Sequence, residues 1–594
     1  MTTWHIQTVA PITDSSDANW GQQNSSGDGS SSSPYGSVQE LIDSGNLADG
    51  DTISIDQPAG IPCYGSHQIP ESNLTITVGG QTVRARWVNG YPIDVDTLVS
   101  SHATNDIYRC ATGALTTEPT EVSRNWNTST NAQGNRYGIM DETTLAGLQT
   151  TTGYFYDSGA NTLYVSIPTG DSIDDYEFIV GQDGDTLRMT NPLATTVEYQ
   201  SYEHALEPGN GVGYGLRLLG DTTGFMHRYN VYDGCQYHHF GAVGTGTQGI
   251  TSLSNHYRTA KGANDSQVVM FSDTGGVGMN NILLKDEMFY IVPWLTPANA
   301  PFNTGQIKAF ATHTAATAGA TARGGIRLKS CKAIWYGDNP TNVATFFAAT
   351  AGNIRSTAPA DNTNHEDYPI QLEDCVSDVM GFNAGSNSGD VHVSCRRCLF
   401  SQDQSSVTGG YFGLGRAPLA LSAGNGSSNS GDLAANFESC VFSMTHNNTN
   451  LRSVMTGQKG TGTFFARFRN CSFRLQGSYS TKVMVFTLAG SISSSDVEIR
   501  QCEISGESNE NVFESGNNLA ASNYTITDNL YTGFGNTYQQ TGGTVVKTRA
   551  AYETDIDPDG SYDDTLGFTD EDTLEPDTAT QAIVHTYPEG GPEG

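Results

Sequence analysis

One short pattern recurs seven times in the C-terminal half of this chain, and it restricts the fold more tightly than any other feature: apolar, any, apolar, two turn-like residues, Cys, any, usually apolar. The copies run through Ile326, Leu328, Cys331 and Ala333; Ile370, Leu372, Cys375 and Ser377; Val393, Cys395, Cys398 and Phe400; and Ala435, Phe437, Cys440 and Phe442. Three more run through Ala466, Phe468, Cys471 and Phe473; Val497, Ile499, Cys502 and Ile504; and Tyr524, Ile526, Asn529 and Tyr531, where Asn replaces the Cys. Successive copies lie 44, 23, 42, 31, 31 and 27 residues apart, so a fixed unit is joined by loops of changing length.

Within each copy the leading pair of apolar positions alternates as in a strand, and so does the trailing pair, but the step between the pairs is three residues instead of two. A corner must lie there. Two residues that turn the chain while keeping the same side chains inside describe one coil of a parallel β-solenoid. The second corner position holds Ser330, Asp374, Arg397, Ser439, Asn470, Gln501 and Asp528, several of them types that tolerate a left-handed backbone. The first holds Lys329, Glu373, Arg396, Glu438, Arg469 and Arg500, which would stack about 4.8 Å apart with mostly alternating charge. Such a ladder reads either as a solvated row of salt bridges or as the wall of a substrate groove. Cys395 and Cys398 imitate a metal-binding C-x-x-C, yet the register turns both inward with no second pair nearby.

Composition excludes some partners. The 63 Asp and Glu outnumber the 29 Lys and Arg, leaving a net charge of -34 that repels nucleic acid. The hydrophobic share of 36% suits a long, thin core. No run approaches the roughly 18 apolar residues of a membrane span, and no basic segment followed by an apolar one marks a secretory signal. The expectation is therefore no membrane insertion, and ten Cys that stay reduced.

Upstream, Ser37 to Asp43 reads as a short amphipathic helix, and Gly50, Asp51, Thr52, Ile53, Ser54 and Ile55 as a turn opening into a strand. A helix before the first coil is a capping arrangement, since an open solenoid end leaves apolar side chains and strand edges bare. This stretch, SVQELIDSGNLADGDTISI, resembles the start of pectate-lyase-like right-handed β-helix proteins. The segment from Gly153 through Asp157 and on through Asn161 to Val165 resembles the strand pair inserted near the start of many bacterial and phage β-helix proteins. These signatures cover about 50 residues, while the repeat carries the same architecture from about residue 35 to about 545.

The resemblance implies an all-β fold, a right-handed parallel β-helix with an N-terminal capping helix and loop insertions. With its Ser/Gly-rich arm at Asn24 to Ser33 and its inward Cys, the chain is most similar to a bacteriophage tailspike or tail fibre. That family implies an arm at 1–34 attached to other tail or capsid proteins, a β-helix at 35–545 with inserted strands at about 110–180, and an acidic extension at 546–594. It further implies a homotrimer, host surface polysaccharide as partner, and residence in the virion after synthesis in the host cytoplasm. The fold serves many functions, so four stay open: a polysaccharide depolymerase, hydrolase or lyase; a spike that binds without turnover; a structural or capsid-decorating virion protein; and a free polysaccharide lyase.

The register also nominates residues. A looser copy through Ile282, Leu284, Glu287 and Phe289 makes Asp286 the corner equivalent of Asp374. Carboxylates on neighbouring or next-neighbour corners sit about 5 or 10 Å apart, straddling the separations of retaining and inverting glycosidases. With no coil hidden in the loops between them, Asp286 and Asp374 serve as general acid and base with Glu373 assisting; otherwise all three are turn formers. Glu287 is then a buried acid, or the sign of a one-residue slip. His238 and His239 follow Asp233, but neighbours on a strand face opposite ways, which predicts one packed and one surface imidazole. Trp294, Trp335, Tyr336 and Tyr411 in the loops would stack on sugar rings, or else pack loops and subunits. Asp555, Asp557, Asp559 and Asp563 around Gly560 follow the start of a calcium loop, although Leu566 stands where its closing Glu belongs. Calcium is thus the only cofactor the sequence offers, against an acidic, solvated tail.

Overall fold

The computed structural model describes residues 1–12, 21–57, 61–79, 84–115, 118–119, 122–126, 136–138, 140–141, 144–181, 184–203, 213–235, 238–260, 265–273, 279–293, 306–314, 325–335, 344–350, 364–378, 381–386, 391–403, 419–423, 432–445, 453–459, 464–476, 484–489, 497–506, 511–515, 525–534, 537–541 and 544–563. The chain divides into two compact units, one of Met1–Ala242, Ser254–Val269 and Val292–Thr304, the other of Val243–Leu253, Met270–Ile291 and Gly305–Gly594. Each is built as a right-handed parallel β-helix, in which every coil adds one strand to each of three parallel sheets.

In the second unit the first sheet runs through Ile282–Lys285, Ile326–Lys329, Ile370–Glu373, Val391–Arg396, Leu433–Glu438, Phe464–Arg469, Val497–Arg500 and Thr525–Thr527, each strand parallel to the next. The register follows the sequence repeat. Lys329 pairs with Glu373, Glu373 with Arg396, Arg396 with Glu438, Glu438 with Arg469 and Arg469 with Arg500. After each of these strands the chain turns through one residue in the left-handed region. Ser330, Asp374, Arg397, Ser439, Asn470, Gln501 and Asp528 all have φ between +51° and +59°. Asp374, Asn470 and Asp528 bear that conformation at little cost, while Ser330, Arg397, Ser439 and Gln501 are held in it by the coils on either side.

Inside, like stacks on like. Phe437 lies flat against Phe468 with centroids 5.0 Å apart, and Phe442 against Phe473 at 5.1 Å. Each buried Phe contributes on the order of 1.5–3 kcal/mol. Below them runs a column of thiols: Cys331, Cys375, Cys398, Cys440, Cys471 and Cys502 are all buried and unbridged. Every Sγ in it donates to a backbone carbonyl of the preceding coil at 3.5–3.6 Å. Asn529 continues the column, donating from Nδ2 to the Ile499 carbonyl at 3.1 Å and accepting from the Cys502 amide.

The first unit uses the same device with amides. Gln200, Asn230 and Asn255 each follow a left-handed corner, at Tyr199, Tyr229 and Ser254. Asn230 accepts from the Gln200 amide and Asn255 from the Asn230 amide, both at 2.8 Å. Beside this ladder Trp87, Tyr202, Tyr232 and Tyr257 form a buried aromatic stack, the last three at 4.9 and 5.2 Å.

The helix expected near residue 40 forms at Val38–Ser44, with Ser37 as its N-cap and Gly45, at φ +67°, closing its end. Val38 and Leu41 face inward, and strand Thr52–Asp56 follows. The inserted hairpin also forms, pairing Tyr154 with Val165 and Asp157 with Thr162. Around it Leu163, Val165, Ile167, Val122 and Phe178 make a separate small core.

Two boundaries differ from the sequence reading. Residues 1–34 are not simply an arm, because Thr3–Gln7 pairs in parallel with Thr52–Asp56 and joins the first sheet. The acidic extension begins later than 546, since helix Arg549–Asp555 leads into strand Ser561–Asp563, which pairs with Leu530–Thr532. Local alternation in these pieces was too short to mark them as coils.

Candidate functional site

Strands Ile282–Lys285, Ile326–Lys329 and Ile370–Glu373 are immediate neighbours, so no coil hides between Asp286 and Asp374. Both are left-handed corner residues, at φ +56° and +55°, with Ser330 between them. Two coil steps separate their backbones by about 9.6 Å, just beyond the roughly 6.5–9.5 Å that separates the carboxyl groups of inverting enzymes. Glu287 is buried, as one of the two readings required, and sits at the Cys position of its coil.

The three carboxylates differ in their engagements. Asp374 accepts from Arg397 through both oxygens, at 2.7 and 3.0 Å. Glu373 is the hub of a denser cluster, contacting Lys329 at 3.2 Å, Arg396 at 2.6 Å and Arg397 at 2.7 Å. Burial raises the Glu373 carboxyl, but hydrogen bonds from Arg396, Arg397 and Lys329 outweigh it and hold the group at about 2. It is therefore a fixed negative charge and unsuited to donate a proton near neutrality. Asp286 is half exposed, and Lys285 is 3.8 Å away.

A concavity lies in the first unit. Strand Tyr176–Val180 pairs antiparallel with Tyr91–Pro92 and with Val122–Trp126, and this inserted sheet, with Ala10, Pro11, Ile61 and Tyr64, walls a cleft of about 600 Å³. Half-buried Tyr176 supplies aromatic surface over the largely buried Tyr64 and Phe178; Asp94, Asp96, Asp174 and Glu177 supply carboxylates. The Tyr64 hydroxyl donates to Glu177 at 2.5 Å, and that of Tyr176 to Asp171. Ile93, Val95 and Phe178 anchor the wall in the small core behind it. Sequence reasoning missed this cleft. Its signal was the density of acids and aromatics in DSIDDYEF at 171–178, which periodicity alone does not weigh.

Other nominated residues are placed as follows. Trp294, Tyr336 and Tyr411 lie outside the described residues, and Trp335 ends strand Lys332–Trp335, with only its backbone described. His238 and His239 are both buried, correcting the expectation of a surface imidazole. Backbone carbonyls explain it: the His238 ring bonds the Gln267 carbonyl and the His239 ring that of Arg258, each at 2.7 Å. Asp557 points inward and accepts from the Asp528 and Asn529 amides, the Asn529 side chain and the Tyr531 hydroxyl. Asp555 ends a helix, while Asp559 and Asp563 flank the following turn and strand. Among the described residues, no three acidic, His or Cys groups gather as a metal would need.

No family model matches this sequence, and no curated protein matches it. Among solved structures, the chain is similar to XylC in complex with xylose at 9% identity, covering 95% of this chain and 86% of that one with a TM-score of 0.39. The tailspike of Pseudomonas phage phi297 is similar at 10% identity, 87% and 75% coverage, and a TM-score of 0.28. A tailspike of Acinetobacter baumannii bacteriophage AP22, in complex with A. baumannii capsular saccharide, is similar at 8% identity, 85% and 73% coverage, and a TM-score of 0.22. Likeness of that order transfers neither substrate nor assembly to this chain.

Proposed function

We propose that the protein is a virion appendage of the tailspike kind that binds host surface polysaccharide as a homotrimer, joined to other tail or capsid proteins through residues 1–34. The observation that carries the reading is the 600 Å³ cleft walled by Tyr64, Tyr176 and Phe178 and rimmed by four carboxylates. Aromatic planes suit the C–H faces of sugars, and carboxylates accept from their hydroxyls. Net charge of -34 weighs against a nucleic acid in the same place. Among the described residues no helix is long and apolar enough to cross a membrane.

A depolymerase is the second reading, favoured by Asp286 and Asp374 standing two coils apart at matching corners. Trp294, Trp335, Tyr336 and Tyr411 remain candidate sugar contacts for it.

An array of purified bacterial capsular and O-chain polysaccharides tests both. Saturable binding to particular polysaccharides, weakened at least about tenfold by Glu177→Gln with Asp174→Asn, is the expected result. A blank array favours the structural or decorating role. Release of oligosaccharide from a bound polymer, abolished in Asp286→Asn and in Asp374→Asn with assembly intact, is expected of the depolymerase; full turnover in either variant sinks that assignment.

A further inference from the structure

The corner after the first-sheet strand is filled by small or polar residues through most of the chain, Ser254, Asp374, Asn470 and Gln501 among them. Two adjacent coils break this rule. Tyr199 and Tyr229 occupy the corner with φ +57° and +59°, a region that bulky side chains enter only under strain. Their coils are neighbours, since Glu198 pairs with Arg228 and Ser201 with Val231. Core burial does not repay the strain, because the two residues are 40% and 37% exposed. They lie nearly parallel, 5.2 Å between centroids and 19° between planes.

The surroundings are polar and ordered. Glu198 accepts from Arg228 at 2.6 Å and from the Thr77 hydroxyl at 3.0 Å. The Arg228 guanidinium lies 5.9 Å from the Tyr229 centroid. Arg84, one coil before Tyr199, donates from Nε to the Tyr229 carbonyl at 2.9 Å. One coil after Tyr229 the corner is Ser254, too small to place a third ring on the stack.

We infer that Tyr199 and Tyr229 form a stacking platform for a pyranose ring, with Glu198 and Arg228 as hydrogen-bonding rim. A sugar has the matching anatomy, an apolar C–H face with hydroxyls around its edge. An aliphatic ligand has no use for the charged rim, and a nucleotide's phosphates meet a chain of net charge -34. Strained residues retained on a surface are expected where they serve binding instead of stability. This platform rests on the glycan reading and adds to it a contact apart from the Glu177 cleft.

The test uses the full chain with Tyr199→Asn, Tyr229→Asn, the double variant, and Tyr229→Phe. Asn stands in the same conformation at Asn470, so it relieves strain while removing the ring. Gluco-, xylo- and N-acetylglucosamine hexasaccharides serve as probes in titration calorimetry, because stacking asks only for a C–H face. The expected result is binding by wild type and by Tyr229→Phe, about tenfold weaker binding in each Asn variant, and melting temperatures equal to or above wild type. Three results overturn the platform: a wild type that binds no hexasaccharide, a double Asn variant that binds as wild type does, or binding loss in step with a lowered melting temperature. Hexasaccharide binding with a blank polysaccharide array leaves the platform standing and removes the host reading; the reverse outcome removes the platform alone.

Discussion

At the residue scale, one position decides how coils are tied together: the residue after each left-handed corner, which reaches back to the preceding coil. Gln200, Asn230, Asn255 and Asn529 do this with side-chain amides and the six column cysteines with thiols, while Asp557 reaches back with a carboxylate after the right-handed Ile556. Asp557 serves four donors at once, so Asp557→Ala is expected to cost about 3 kcal/mol or more in chemical denaturation, because it strands buried donors. The loss should be the same with calcium or with chelator; a larger loss in calcium, where only wild type gains stability, would instead support the metal loop. Burial pushes the Cys375, Cys440 and Cys471 thiols well up. A disulfide reagent should therefore titrate no column thiol in native protein and all of them after unfolding, and fast native labelling would contradict the inward column. The sequence repeat was legible because Cys is rare and recurs in register. Its upstream half escaped notice because Val197, Tyr199, Gln200 and Tyr202 follow the same template with Gln, and Asn529 was the one copy that hinted an amide fills the slot.

At the scale of elements, acid acts on a buried strand and on a corner over different ranges of pH. His227 is fully buried, its ring bonded to the Tyr232 hydroxyl at 2.6 Å and stacked on Phe240, and burial lowers its ionisation to about 3. The neutral ring is favoured only in the folded chain, so its contribution is complete above the unfolded value near 6.5 and is lost as pH falls toward 3. Protection of Met226–Arg228 and Val231–Asp233 against hydrogen exchange, relative to intrinsic rates, should fall across that window. Glu373 behaves like a salt-bridged acid, with stability present above about 4.5 and lost toward 2. Glu373→Gln should remove the loss of protection, relative to intrinsic exchange rates, in Ile370–Glu373 between pH 4.5 and 2; an unchanged acid response would mean the three cations are not held by this carboxylate. Periodicity exposed the corners because each contributes one residue at a fixed offset. It could not expose the cleft, whose walls come from Tyr64, in a parallel strand of the helix, and from Pro92 and Phe178, whose strands pair antiparallel in the inserted sheet.

At the scale of the whole molecule, we propose β-helical coils that present carboxylates and aromatic rings on an acidic chain to host glycan, three chains to a spike. Parallel coils were readable from spacing, since a variable interval between identical units leaves few alternatives. Assembly was not, since self-complementary surfaces leave no periodic mark in one chain. Light scattering after size exclusion tests the spike most directly, comparing the 63.4 kDa of one chain with about 190 kDa for three. A mass near 190 kDa that holds on dilution is the expected result. A stable 63.4 kDa monomer at all concentrations would contradict the spike and turn attention to a free β-helix enzyme.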